Sequence, residues 1–374
     1  MSGDRVAVIW RSCLLPGSET FIRNQADALP TWRPVYLGAV RVASPLARDT
    51  DVVLCPDTPR GRREWLQLRL TGGTPRLRRL LARLRPDVVH AHFGGDGWLV
   101  SRTATQLGIP LVITLHGLDV TRQPAAPGPR GVRHRRNLRT AFDRAALILA
   151  VSGPIRDRAV ELGADPAKVR VHHIGVPVPA EPASGPKSWD VIFVGRFVEK
   201  KGVDDLVEAV GLLPDLRPRV LLIGTGPLHE RVRARAERLG VDATFLGALP
   251  PAEVLRHVAE SRVLAAPSRT APDGDTEGLP TTILEAGSLG VPVVSTYHSG
   301  IPEAIIHEAN GLLGPEGDRP ALAANIRRLL TDHALRDRLG HEAHHRVQAH
   351  FDLPKQTRTL ESLYTSLPLP HPLR

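Results

Sequence analysis

Residues 190–213, DVIFVGRFVEKKGVDDLVEAVGLL, run from a continuous apolar stretch through a glycine into a segment with helical spacing. A short unbroken run of β-branched and aromatic residues predicts a strand buried on both faces, as in parallel sheets covered by helices. Gly195 breaks the strand, and Arg196, Lys200 and Lys201 fill the loop before DDLVEAVGLL begins a helix. Such a corner binds anions, because backbone N–H groups converge on it and the helix start carries the positive end of the dipole. Two cations there can neutralise a diphosphate while it is bound and as charge develops on its departure. Plain solvation of basic loop residues is the alternative reading of the same segment.

Further along, DGDTEGLPTTILEAGSLG at 273–290 places Glu277 and Glu285 eight positions apart. Leu279-Pro280 followed by Thr281 and Thr282 marks a helix start, so Glu277 belongs to the preceding loop and Glu285 to the early helical turns. Eight helical steps advance roughly 12 Å and a partly looped path less, a span that suits a diphosphate with a hydroxylated ring at each end. Carboxylates accepting from sugar hydroxyls form hydrogen bonds of about 1.5–3 kcal/mol each. The helix start at residues 278–282 offers free N–H groups to phosphates. An acidic turn that merely complements the helix dipole is the competing explanation of the pair.

Together the two segments resemble the retaining glycosyltransferases of family 4, and the resemblance, which covers nearly the whole chain, implies an α/β chain of GT-B architecture. That architecture has two Rossmann-like parallel-sheet domains facing an interdomain cleft. The resemblance assigns Arg196 and Lys201 to the donor diphosphate, Glu277 to the donor sugar and Glu285 to the ribose. LLIGTGPLHERV at 221–232 looks like the second strand and glycine turn of the donor domain, and TFLGALPPAEV at 244–254, with Leu246, like the segment near the nucleobase. Gly195, Gly278 and Leu279 complete the donor side, and VPVVSTYHSGIPEAI at 291–305 resembles the strand and loop after the glutamate helix.

In the N-terminal half, RVAVIW at 5–10 reads as a first strand, followed by a loop with Gly17 and a helix capped near Ser18. The family's glycine loop approaches the donor phosphates. A single Gly17 replaces the commoner glycine pair, and SETFIRNQ resembles the branch that builds exopolysaccharides such as colanic acid. DVVHAHFG at 87–94 and LVITLHGLDV at 111–120 are strand ends carrying His90, His92 and His116. The resemblance puts His116 at the sugar-bearing centre, among the catalytic residues with Glu277, Arg196 and Lys201, and puts His92 and Asp119 on the acceptor side. His90 and His92 share a strand face, as metal ligands can, but no further ligand accompanies them, and Cys13 and Cys55 fit no zinc framework. Asp273-Gly274-Asp275 has a D-x-D look but reads as loop acidity. No metal cofactor is expected, and the substrates implied are a nucleoside diphosphate sugar and a glycan or lipid-linked acceptor.

At 374 residues the chain has length for two domains. The small, proline-rich stretch at 177–186 is the linker candidate, giving domains at 1–178 and 179–354, with a return segment at 355–374 that the resemblance packs on the N-terminal domain. No apolar run approaches the roughly 20 residues that span a bilayer, and the N-terminus has no signal-peptide pattern, so a cytoplasmic protein is expected. The net charge of +10 exceeds what a donor site needs. Its main cluster runs from Arg60 to Arg85, where Leu77, Leu80, Leu81 and Leu84 recur among arginines, and RGVRHRRNLR at 130–139 adds another. Such a surface is a candidate for an anionic membrane at the inner face of the cell, unless the leucines pack on the core and the arginines are only solvated. Nucleic acid is not an expected partner, since no recognised module accompanies the charge. A nucleotide-sugar 2-epimerase of the same fold and a non-catalytic sugar- or lipid-binding relative are the rival functions.

Overall fold

The computed structural model describes residues 5–368; the ends of the expected N-terminal domain and return segment, 1–4 and 369–374, lie outside the described residues. Contacts divide the chain into two compact units, Met1–Gly175 with Leu353–Arg374, and Val176–Asp352. In the first, β1 (Arg5–Leu14), β2 (Trp32–Arg41), β3 (Val52–Val53), β4 (Val88–His92), β5 (Leu111–Leu115), β6 (Leu147–Ala150) and β7 (Val169–Val171) make one sheet. Its order is β3-β2-β1-β4-β5-β6-β7, and every pairing is parallel. The second unit repeats the plan with β8 (Trp189–Val194), β9 (Val220–Ile223), β10 (Ala243–Gly247), β11 (Ser261–Ala266), β12 (Val293–Thr296) and β13 (Gly311–Gly314), ordered β10-β9-β8-β11-β12-β13.

The physical cause is the apolar strands noted in the sequence. Val8 and Trp10 of β1 enter one core cluster and Ala7 and Ile9 the cluster on the other face. Val191 and Phe193 of β8 are likewise divided from Ile192. Strands buried on both faces need helices on both sides, which only parallel crossovers provide. In each sheet the winding direction reverses beside the first strand, between β1 and β4 and between β8 and β11. Such a reversal opens a crevice outside the carboxyl ends of the strands, where doubly wound sheets bind ligands.

The helix Leu353–Thr365 packs on the first unit, burying Leu360 and Tyr364, and Glu361 Oε1 accepts from the backbone N–H groups of Thr31 and Trp32 at 2.7 and 2.9 Å. The helix expected to be capped near Ser18 starts instead at Thr20 with Glu19 as N-cap and no side-chain cap bond, because the Glu19 carboxylate is held by Arg11. The basic run forms two helices, Pro59–Thr71 and Pro75–Leu84, capped by Thr58 and Thr74. Leu77 and Leu81 are fully buried, each a gain of about 1.5–3 kcal/mol, so that stripe belongs to the core. The apolar groups that face outward are Leu66 and Leu70 of the earlier helix, 57% and 61% exposed. No helix among the described residues is long and apolar enough to cross a membrane.

Candidate active site

In the second unit, the turns after β8 and β9 are locked to each other. Gly195 N donates to Ile223 O, Phe197 N to Thr225 O, and Leu228 N back to Phe197 O. Gly224 takes a φ of +137°, and a Cβ on it would lie 1.9 Å from Gly195 O, so no other residue fits where the turns touch. Beyond Gly195 the chain presents Arg196, which is exposed and has no ion-pair partner among the described residues. A 3-10 turn, Glu199–Lys201, then aims the two lysines differently. Lys200 is buried and donates to Asp275 Oδ1 and Thr276 O, both at 3.0 Å. Lys201 Nζ pairs with Glu277 Oε1 at 2.9 Å. Asp275, expected to be loop acidity, is therefore half of a buried ion pair that fixes the loop carrying Glu277.

Glu277 is buried, and burial, the largest single influence on it, raises its pKa. The ammonium groups of Lys201 and Lys200 outweigh that influence and hold it at about 2. Its backbone is held as tightly. Glu277 N–H donates to His298 Nε2 at 3.0 Å, His298 Nδ1 faces Glu316 Oε1 at 2.6 Å, and Ser299 Oγ donates to Glu277 O at 2.7 Å. Since Nε2 accepts, His298 Nδ1 carries the proton and donates it to Glu316. Glu316 Oε2 also accepts from Thr270 N at 2.7 Å. The helix Thr281–Ser288 follows with Pro280 at its N-cap and no side-chain cap bond, which leaves the first-turn N–H groups without a capping side chain. Gly278 and Leu279 are buried in the turn that leads into it, and Gly278 O accepts from Gly300 N. On this helix burial pushes the Glu285 carboxyl up to about 7, against a smaller opposing pull from Lys201. Leu246 sits at a bulge in β10: Phe245 pairs with Leu222 and Gly247 with Ile223, so Leu246 is left out of register and 38% exposed.

In the first unit the carboxyl ends of β4 and β5 bring three imidazoles together. His90 and His92 stack at 4.4 Å between centroids, and His92 Nδ1 lies 3.1 Å from His116 Nε2. Both ring nitrogens of His90 are engaged, with Tyr364 Oη at 2.5 Å and Thr114 Oγ1 at 2.6 Å, which leaves none for a metal. Burial and the neighbouring cationic forms lower all three pKa values, to about 3 for His90 and His116. They are uncharged at neutral pH. His116, between Phe21 and Phe93, is the half-buried member, whereas His92 is 1% exposed. Asp119, expected on the acceptor side, is fully buried. Its Oδ1 accepts from the N–H groups of His116 and Gly117 and its Oδ2 from Gly94 N–H, at 2.8–3.1 Å, so the carboxylate is occupied in holding the two strand-end turns.

Gly17 lies exposed in the loop after β1, and the left-handed residue of that loop is Leu15, with φ 44°. An ion-pair cluster that the sequence reading did not single out anchors the loop. Arg11 pairs with Glu19 and Asp96, both at 2.6 Å, and lies 4.3 Å from the Phe93 ring centroid. RSCLLPGSE already held Arg11 and Glu19, but Asp96 reaches them only through the fold.

Comparison with known proteins covers both units. The glycosyl transferases group 1 family matches residues 179–346, and glycosyltransferase family 4 matches residues 16–178. The amylovoran biosynthesis glycosyltransferase AmsK of Erwinia amylovora is 32% identical over 257 residues, 65% of this chain and 61% of that protein. The putative colanic acid biosynthesis glycosyltransferase WcaL of Salmonella typhimurium is 30% identical over 293 residues, 75% of this chain and 71% of that one. Among solved structures, Anabaena Alr3699/HepE in complex with UDP has a TM-score of 0.78 at 19% identity, covering 97% of this chain and 100% of the other.

Proposed function

Because the chain belongs to glycosyltransferase family 4, with the two-unit α/β fold of the GT-B class, we propose that it moves a hexosyl-type sugar from a nucleoside diphosphate sugar to an acceptor hydroxyl with retention at the anomeric carbon. The setting would be exopolysaccharide or lipid-linked glycan synthesis; AmsK is named for amylovoran biosynthesis and WcaL, putatively, for colanic acid biosynthesis. Of the HepE structures that share the fold, one was solved with UDP and another with UDP-glucose. The observation that carries the reading is Lys201, held between the Gly195 turn and Glu277, beside unpaired Arg196.

In this mechanism the bond from the anomeric carbon to the diphosphate oxygen breaks, and a bond to the acceptor oxygen forms. Arg196, Lys201 and the uncapped helix start at Thr281 stabilise the departing diphosphate, so no metal ion is required. Glu277 stays ionised and orients sugar hydroxyls, Glu285 accepts from the ribose, Leu246 packs against the base and His116 contacts the sugar as a neutral hydrogen-bonding group. Neither Glu277, near 2, nor His116, near 3, is a useful base at neutral pH. With Glu285, near 7, given to the ribose in this mechanism, the acceptor proton is taken by an oxygen of the departing diphosphate. Exposed Leu66 and Leu70 among the arginines of residues 60–85 would rest on an anionic membrane at the cytoplasmic face, near a lipid-linked acceptor.

A thermal-shift screen against UDP, GDP, ADP and TDP, with and without magnesium, followed by transfer assays with the matching sugar nucleotides, tests the reading. One nucleotide should stabilise the protein without metal and its sugar should appear on an acceptor with retained configuration. Conversion of one sugar nucleotide into another without acceptor product would make it an epimerase. Nucleotide binding without turnover would make it a binding protein.

A further inference from the structure

In the first unit the helices Pro59–Thr71, Pro75–Leu84 and Gly94–Gln106 border an open surface cavity of about 640 Å³. Its walls carry Arg78, Arg79 and Arg102 together with Gln67, Thr71 and Gln106, and no carboxylate. None of the three arginines makes a side-chain hydrogen bond or ion pair among the described residues. Glu64, on the helix that supplies Gln67, does not neutralise the cavity: it already accepts from Thr74 Oγ1 at 2.9 Å and faces Arg76 at 3.6 Å. Three like charges converging on an open space without counter-charge is an arrangement that self-repulsion disfavours and a polyanion relieves.

We propose that this cavity is a binding site for an acidic oligosaccharide, distinct from the transfer site. Planar guanidinium groups pair bidentately with carboxylates, and the amides and hydroxyl of Gln67, Gln106 and Thr71 are of the kind that exchange hydrogen bonds with sugar hydroxyls. The volume lies within the range of small-molecule sites and leaves room for several sugar rings. Arg102 and Gln106 lie eight and twelve residues along the helix that starts at Gly94, just past His92. At 1.5 Å per residue this puts them roughly 12–18 Å from that start, so a chain held here has its bound acidic residues well away from the reacting hydroxyl. The choice of a saccharide over other anions rests on the glycosyl-transfer reading; the unpaired charge of the cavity does not.

The test is calorimetric titration of the full chain with tetragalacturonate, uncharged maltotetraose and inorganic phosphate, beside co-sedimentation with phosphatidylglycerol vesicles. The Arg78→Gln, Arg79→Gln, Arg102→Gln triple variant is compared, with Arg102→Gln alone as the milder change should the triple variant not fold. Tetragalacturonate should bind, weaken as salt is raised, and lose about tenfold or more in affinity in the triple variant, or severalfold in the single one. Maltotetraose should not bind, and phosphate should bind at least about tenfold more weakly than the tetramer. Unchanged tetramer binding in the variants, equal binding of maltotetraose or phosphate, or arginine-dependent binding of vesicles alone would each overturn the proposal. The thermal shift with nucleotide is read on the same samples. A shift without tetramer binding removes this inference alone, and tetramer binding without a shift removes the donor-site reading alone.

Discussion

At the carboxyl edge of the second sheet Glu277 is buried against two lysines and stays ionised down to a pKa of about 2. At the matching edge of the first sheet His90, His92 and His116 are buried against one another and stay neutral. The same topology thus supplies one edge where charge is fixed and compensated and one where it is excluded. Opposite charges close together stabilise the ionised forms of both groups, whereas like groups crowded in a dry environment suppress their own ionisation. A departing diphosphate needs the first kind of surface. The second kind offers neutral donors and acceptors, which help orient a sugar's hydroxyls without adding charge to the reacting carbon.

Lys201→Met breaks the comparison most severely. It removes a cation from the proposed leaving-group site and strips Glu277 of its nearest partner, so turnover should fall about 100- to 1000-fold. The buried carboxylate would be left with Lys200 alone, at 3.8 Å, so stability should also fall, by less than the about 3–5 kcal/mol of a fully orphaned charge, read as a lowered melting temperature. Arg196→Ala separates the two effects, because Arg196 has no partner to orphan: an equal loss in kcat with an unchanged melting temperature is expected. A change in sugar preference alone would remove Arg196 from leaving-group stabilisation.

Glu285 sharpens the comparison within one unit, since it lacks the lysine contacts that keep Glu277 ionised. With its folded pKa raised from 4.5 to about 7, the protonated form is favoured by folding. Its contribution to stability is therefore complete below about pH 4.5 and lost as pH rises through 7, a difference of up to roughly 3 kcal/mol by linkage. Glu285→Gln should match the parent near pH 4.5 and become the more stable protein above pH 7. Donor affinity should run the other way: the carboxylate that accepts from ribose appears as pH rises, so the parent binds nucleotide better at pH 8 than at pH 6. The variant should be flat with pH and weaker at pH 8 by about 10- to 100-fold. Parallel profiles for the two proteins would detach Glu285 from the ribose.

His116→Asn tests the uncharged edge. Loss of one neutral hydrogen bond predicts about a 3- to 10-fold fall in kcat/KM. With the imidazole near 3, the pH dependence between 5.5 and 8 should be the same for both proteins. A limb that disappears from the profile would show that the ring titrates in the working range and that the first edge is not charge-excluding.

These contrasts also mark how far sequence reading reaches. Apolar runs such as VIFV and LVITL specify doubly buried parallel strands, and the glycine turns follow from them, so the α/β plan, the turn positions of Arg196, Lys201 and Glu277 and the helical position of Glu285 were legible. Partnership was not. Lys200 and Lys201 are adjacent and alike in sequence, yet a single 3-10 turn sends one into a structural pair with Asp275 and the other to Glu277. Asp119 lies beside the HGL turn and invited an acceptor role, but its oxygens are filled by backbone N–H groups, including that of Gly94, 25 residues away. His298 and Glu316 are 18 positions apart with no motif joining them, so only the packing of the loops after β12 and β13 reveals their contact. Local spacing reports elements; the identity of a side chain's partner across the sheet edge is a tertiary property.

Glu316→Gln has the smallest expected effect and asks whether the charged edge is held rigid from behind. Glu316 uses separate oxygens for Thr270 N–H and His298 Nδ1–H. Glutamine keeps one acceptor and turns the other into a donor, so either Thr270 N–H loses its partner or His298 must move its proton to Nε2. In the second case Nε2–H would oppose Glu277 N–H and the loop carrying the carboxylate would shift. Either outcome costs about 1–3 kcal/mol of stability, but only the second moves Glu277. A severalfold fall in kcat with KM for the donor nearly unchanged is therefore expected, together with a ring-nitrogen NMR signature for His298 that passes from the Nδ1–H to the Nε2–H tautomer. If the melting temperature falls while the tautomer and kcat stay as in the parent, the pair only anchors Thr270 and the position of Glu277 depends on its lysines alone.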